Sequence, residues 1–245
     1  MKKFVLSLLV IGTLGLLAQP VWADKDLDAI VKAFSQKASV IAAMKAFSDA
    51  FGKVRAENGL ESVDDLKKDV FSYYDGDFAK EYKSTVGKDS DLTAAKSVDN
   101  DAVALQYYYI SHSSEKTGKK QNLVAAQDKS NWTKLHAKHH EMFKSFAEDK
   151  ENGFYDVFLI DLSGRIVYSV FKEIDFATRL DGGPYASSGL GTMFKDLKDA
   201  GKGEVKTGKN APYFPSYEDN AQFVGTSIYE GDKKIGILVI QLPSW

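Results

Sequence analysis

The sequence predicts an α+β protein in which a helical N-terminal half precedes a five-stranded antiparallel sheet with one crossover helix. Three observations lead there. Apolar residues recur at helical spacing through most of residues 24–150, the period shortens to that of strands after Gly153, and the pairs Ser163-Gly164 and Gly231-Asp232 sit at hairpin positions between strand-like runs.

Taken in order, Leu27, Ile30, Val31, Phe34, Ala38, Ile41, Met44, Phe47, Phe51 and Val54 trace one stripe, so residues 24–58 are expected to form a single long amphipathic helix closed by Asn58-Gly59. Such a stripe serves either packing within its own domain or the seam of a homodimer, and the pattern alone does not separate the two. A second helix is expected over residues 63–84, with Val70, Phe71, Tyr74, Phe78 and Tyr82 in its apolar pattern and Gly76 weakening its middle. The polar residues 87–101 read as a loop and 102–112 as a helix. Gly118 then breaks the chain before a helix over 131–150. Strands are expected over residues 155–161, 165–171, 204–207, 223–229 and 235–242, with a helix over 186–200 between the second and third. No internal repeat or low-complexity tract interrupts this order. The chain therefore reads as one composite domain, a helical subdomain over 24–150 joined to a sheet subdomain over 151–245.

Met1-Lys2-Lys3, the apolar run 4–17 and the small residues Val21 and Ala23 form the basic, apolar and small-residue order of a secretory signal peptide, with cleavage expected after Ala23 and a soluble periplasmic product. The apolar run falls short of the ~20 residues a spanning helix needs, and no later run is longer than a buried strand. The chain has no cysteine, which excludes disulfides, thiol chemistry and thioether-linked haem. With 32 basic against 34 acidic residues, scattered and not clustered, no field favours nucleic acid or anionic lipid.

Residues carrying catalytic potential are few. His136 and His140 lie one helical turn apart, with His139 beside them, so His136 and His140 could share a metal if His112 or Asp101 supplied a further ligand; the alternative is hydrogen bonding at the seam between helix and sheet. The motif lacks the internal Glu of a zinc protease, and residues 187–191 (SSGLG) lack the spacing of a nucleophile elbow. No phosphate-binding glycine loop is present, and acidic pairs such as Asp64-Asp65 fall in solvated helical contexts. No enzyme activity and no cofactor are expected.

The segment 154–185, FYDVFLIDLSGRIVYSVFKEIDFATRLDGGPY, is the most informative of the chain. Together with QYYYISHS (106–113), LHAKHHEMFKSF (135–146), GPYASSGL (183–190), PYFPSY (212–217) and IGILVIQLP (235–243), it resembles the extracytoplasmic Cache, or PAS-like, sensor domains of bacterial chemoreceptors, adenylate cyclases and histidine kinases. The resemblance covers residues 106–243. It implies a PAS-like sheet, one face of which, with the loops after the second strand, encloses a small-molecule ligand. Tyr168 and Phe171 would then supply apolar wall, and Lys172, Asp175 and Arg179 would orient polar groups in a loop that ends at Tyr185. Arg179 is one of three arginines in the chain, with Arg55 and Arg165, and its fork suits a carboxylate; its alternative is surface charge. Tyr213, Ser216 and Tyr217, stiffened by Pro212 and Pro215, would form either a lid or a packed connection.

Family members normally continue into a membrane helix and an output domain, so this chain reads as an exported sensor without its own output domain, presenting its ligand to a membrane receptor in signal transduction or chemotaxis. Its rivals are a structural or interaction module without ligand and a metal-binding periplasmic protein. Mass spectrometry of the periplasmic fraction is expected to find Asp24 as the first residue; an intact Met1 in the membrane fraction would overturn the export reading.

Overall fold

The computed structural model describes residues 26–149 and 151–243, so the expected cleavage after Ala23 lies outside it. The chain is α+β, a set of helices followed by an antiparallel sheet. Among the described residues no helix is long and apolar enough to cross a membrane.

The expected long first helix is three shorter ones: α1 (Leu27–Ser35), α2 (Ala38–Phe51) and α3 (Val54–Glu57). α1 starts where the Asp26 side chain accepts the Ala29 N–H, and it ends where Gln36 closes back on Lys32 and Phe34 and Lys37 turns extended. Ser35 adds to the break by donating its hydroxyl to the Lys32 carbonyl. No glycine or proline marks this turn; tertiary packing sets it, because α1 lies on strand β5 while α2 runs against helix α7 (Asn131–Glu148). Gly52 ends α2. The apolar stripe is continuous through both breaks, and Val31, Phe34, Val40, Ala43, Met44, Phe47, Ala50, Phe51 and Val54 are all buried within the chain.

The second expected helix is α4 (Asp64–Tyr73) and α5 (Ala79–Val86), joined without a gap by a π-helical turn over Tyr74–Phe78 that contains Gly76. α6 (Asn100–Gln106) begins at the N-cap Asp99 and continues into a second π turn, Tyr107–Ser111. α7 is capped by Ser130, whose hydroxyl accepts the Thr133 N–H.

The strands are β1 (Asp156–Ile160), β2 (Ile166–Ser169), β3 (Val205–Thr207), β4 (Ala211–Pro212), β5 (Asn220–Glu230) and β6 (Lys233–Leu242), in the order β2-β1-β6-β5-β3, with β4 also pairing with β5. The five expected strands are joined by a sixth, the two-residue β4; its Pro212 cannot donate to a ladder and so sits where pairing is one-sided. Helix α8 (Gly189–Asp199), capped by Ser188, crosses over between β2 and β3.

The alternation of side chains along β5 and β6 assigns the two faces of the sheet. Gly236 approaches Met44 of α2 so closely that a Cβ would collide with its sulfur, whereas Gly225, opposite Val239, faces Leu197 of α8. α2 and α7 thus cover one face and α8 the other, with the loop after β2 closing the edge of the sheet at β2. That explains why β1 and β2 are buried without alternation.

Phe47 is the main link between helices and sheet: it stacks on Tyr168 of β2 at 5.0 Å and lies 5.3 Å from Trp132 of α7, whose indole N–H donates to the Val167 carbonyl. We expect Phe47→Ala to lower the unfolding free energy by about 3–5 kcal/mol in urea titration with an unchanged m value, the range for deleting a fully buried aromatic ring.

Candidate functional site

β2 ends at Ser169, and the chain enters a buried loop that returns to the edge of that strand at Thr178–Leu180, where the Ile166 N–H donates to the Thr178 carbonyl and the Leu180 N–H to the Gly164 carbonyl. Lys172 (φ 53°) and Ala177 (φ 67°) both take left-handed backbone, a conformation costly for residues with a Cβ. The strain is offset by side chains that reach the loop from elsewhere. The Gln106 amide at the end of α6 donates to the carbonyls of Ile174 (3.0 Å) and Phe176 (2.7 Å), and its own oxygen accepts the Tyr74 hydroxyl at 2.6 Å. Arg165 donates to the Ala177 carbonyl and to Asp99, at 2.9 and 2.7 Å, with its guanidinium over the Phe51 ring.

Beneath the loop lie three carboxyl groups, of which Asp156 and Asp175 are almost fully buried and Glu173 is half-buried. Asp156 Oδ1 accepts the N–H groups of Val157, Val170 and Phe171. Glu173 accepts hydroxyls from Tyr155 and Ser216, and Ser216 in turn accepts the Gln241 side-chain amide. Asp175 Oδ2 accepts the Tyr213 hydroxyl at 2.6 Å, while its Oδ1 has no partner among the described residues. Burial disfavours the charged form of each, and the charge of Asp175 adds repulsion at Asp156 and Glu173. The Asp156 carboxyl is pushed up to about 7, Asp175 to about 6, and Glu173 well above the usual range. The same burial pushes the Lys172 ammonium down to about 7, against the pull of Asp156.

Beside this layer lies a cavity of 180 Å³, bounded by the first π turn, the loop around Thr117–Lys120, the loop after β2 and the segment before β5. Tyr73, Phe78, Tyr155, Phe171, Ile174, Pro215 and Tyr217 make its wall largely apolar, and Lys120, Lys172 and Glu173 supply charge. Tyr217 holds its place with left-handed backbone (φ 56°), stacked on Phe78 at 5.1 Å. Lys120 is the unusual member. It is only 4% exposed, its Nζ lies 4.7 Å from the centre of the Tyr73 ring, and it has no hydrogen-bond partner among the described residues. Burial lowers its pKa to about 8 even though Asp77 opposes the shift. At 180 Å³ the cavity is smaller than the ~300 Å³ at which drug-sized sites begin, so it suits a ligand of a few heavy atoms.

Of the residues expected from sequence, Phe171, Lys172 and Tyr217 line this cavity. Asp175, Tyr185, Tyr213 and Ser216 are buried in the layer next to it, where Tyr185 leaves its hydroxyl unpartnered. Tyr168 lies on the other face of the sheet, packed on Phe47 and Phe143. Arg179 lies apart: its side chain is 38% exposed, pairs with Asp181 at 2.6 Å and donates to the Ser163 carbonyl, so its fork already holds a carboxylate of its own chain. Lys120, Tyr73, Thr117, Tyr155 and Glu173 were not expected. Tyr155 and Glu173 do flank named positions in the segment 154–185, and that proximity is the signal that could have found them.

The histidines hydrogen-bond at the seam. His140 donates Nε2–H to the Gln121 carbonyl and accepts the Tyr168 hydroxyl at Nδ1, both at 2.7 Å; His136 donates Nδ1–H to the Val124 carbonyl. Burial, reinforced by the charge of Lys172, lowers His140 to about 3 and His136 well below its ordinary value, so both rings are neutral. Neither His112 nor Asp101 joins them: His112 faces Asp69 and Asp101 faces Arg55. Among the described residues no group of three or more His, Cys, Asp or Glu side chains is arranged to hold a metal ion.

Comparison of the chain with protein-family models, with curated proteins and with solved structures finds no match.

The Asp156 shift predicts a pH dependence. Its folded pKa lies above the unfolded value near 4, so its stabilising contribution is fully present below pH ~4 and is lost as pH rises to about 7. Asp156→Asn keeps the oxygen that accepts three N–H groups but removes the titration. Relative to wild type, the variant should gain about 1 kcal/mol per pH unit between pH 4 and 7 and nothing further above, read from urea denaturation across that range.

Proposed function

We propose that this chain is an extracytoplasmic sensor of the Cache kind that binds a small carboxylated metabolite in the cavity beside the loop after β2, and whose ligand-bound state is read by a membrane receptor. The reading is non-catalytic, with no cofactor. The sequence resemblance supports it, as does the observed sequence of hairpin, crossover helix and closing hairpin, which agrees with a PAS-like sheet. Its main support is Lys120: the residue is only 4% exposed and lines the cavity, and its ammonium has no hydrogen-bond acceptor among the described residues, so it is open to an anion held there. Lys172 lines the same space and gives one of its donors to the Val170 carbonyl, leaving further donor capacity.

A second reading, an interaction module without ligand, draws on the layer behind the cavity, where Asp175, Tyr185, Tyr213 and Ser216 are packed as core. A ligand screen separates the two readings. Short mono- and dicarboxylates should raise the melting temperature in a concentration-dependent way, because a ligand of the folded state stabilises it by mass action. In calorimetric titration of the best acid, Lys120→Met and Lys172→Met should each weaken binding at least about 10-fold, the effect of removing a desolvated charge-assisted contact. Arg179→Ala should bind as wild type. Absence of any stabilising acid, or full affinity in both methionine variants, would leave the module reading in its place.

A further inference from the structure

We propose that Lys120 is a covalent capture point, whose Nζ forms a reversible imine with the carbonyl carbon of a small oxo acid held in the cavity. The inference rests on the ligand site proposed above and specifies the ligand's class within it.

Three features of the site carry it. An amine that is to add to a carbonyl must not be tied up as a donor, and Lys120 Nζ has an aromatic face beneath it but no hydrogen-bond acceptor among the described residues. It must also meet its electrophile away from bulk water; the residue is only 4% exposed and lines the cavity. Lys172 fails the first condition, because its Nζ donates to the Val170 carbonyl and lies over the Tyr109 and Tyr168 rings at 5.8 and 5.6 Å, but its remaining donors are suited to the ligand's carboxylate. That pairing is why an oxo acid fits better than a plain aldehyde. The lowered pKa of Lys120 agrees with this role, since at neutral pH roughly two orders of magnitude more of it is free amine than of an exposed lysine.

The chemistry balances without an oxidant or reductant. The nitrogen lone pair forms the C–N bond while the carbonyl π pair moves to oxygen, and a proton shifts from nitrogen to that oxygen to give a carbinolamine. Protonation of the hydroxyl lets it leave as water, and the nitrogen lone pair closes the C=N bond. Glu173, whose pKa is raised by desolvation and by the charge of Asp175, lines the cavity and can supply that proton; it regains one when the imine hydrolyses. The Tyr73 and Thr117 hydroxyls, 3.2 Å apart, lie on the same wall and can relay it.

The test uses glyoxylate as probe, glycolate as its carbonyl-free counterpart, and cyanoborohydride to trap any imine as a stable secondary amine on the mature chain. Peptide mapping after limited reaction should place the adduct on Lys120 at least 10-fold above any other lysine, and glycolate should suppress it competitively. Lys120→Arg, which keeps a cation, should lose the adduct while retaining the wild-type melting curve. Should that variant misfold, glycolate competition on the wild-type protein still decides the matter. If glyoxylate and glycolate both raise the melting temperature but reduction labels surface lysines indiscriminately or none at all, covalent capture is overturned and the carboxylate site stands. If neither acid stabilises the protein and Lys120 is not labelled, both fall.

Discussion

The buried amide of Gln106 is the contact on which the arrangement of the sheet's outer face depends. The loop after β2 rejoins the sheet through the antiparallel bridge between Arg165 and Arg179, and the carbonyls before that bridge must be satisfied in another way, since an unsatisfied buried carbonyl costs ~1–3 kcal/mol. Gln106 satisfies two of them, at Ile174 and Phe176, and is itself oriented by the Tyr74 hydroxyl. Because α6 supplies the amide and the first π turn supplies the tyrosine, the loop's position is set by the helical half together with its bridge back to the edge of β2. Lys172, Glu173 and Asp175 take their places relative to one another through the same fixed backbone, and the cavity takes its wall from it.

The opposite face of the sheet has a different character. There Tyr168, His140, His136, Trp132 and Phe47 form an aromatic layer in which each polar atom but one finds a partner, the exception being His136 Nε2. Neutral imidazoles let this layer be polar in its hydrogen bonding and uncharged, so Lys172, whose Nζ lies over the Tyr168 ring at 5.6 Å, meets no second positive charge there.

How much of this the sequence disclosed follows from where the physical signal lies. The strands were legible because turn pairs and period both mark them, and even the Gly76 weakness corresponds to a real departure from α geometry. The break at Gln36–Lys37 was not, because neither residue opposes helix and only packing on β5 and α7 requires the turn. At the site, Lys172, Phe171 and Tyr217 stand in or beside segments already distinctive in the sequence. Lys120 sits in a lysine-rich stretch that reads as solvated charge, and only the fold reveals that one of those lysines is turned inward. Arg179 shows the converse: scarcity of a residue type in the chain says nothing of where the fold puts it, and Asp181, two residues on, sufficed to hold it at the surface.

Each π turn contains one residue more than the α-helix around it requires, and the first lines the cavity through Phe78. Removing a single residue, Gly76 for instance, would let α4 and α5 run together as one ordinary α-helix with every backbone hydrogen bond still made. The helix would survive, but everything after the deletion would be rotated by about 100° about its axis. Phe78 would leave Tyr217, and Tyr82 would leave the Glu218 carboxylate it now holds. The inserted residue therefore acts as a phase setting: local helix stability is indifferent to it, while the alignment of one cavity wall with the loops opposite depends on it entirely.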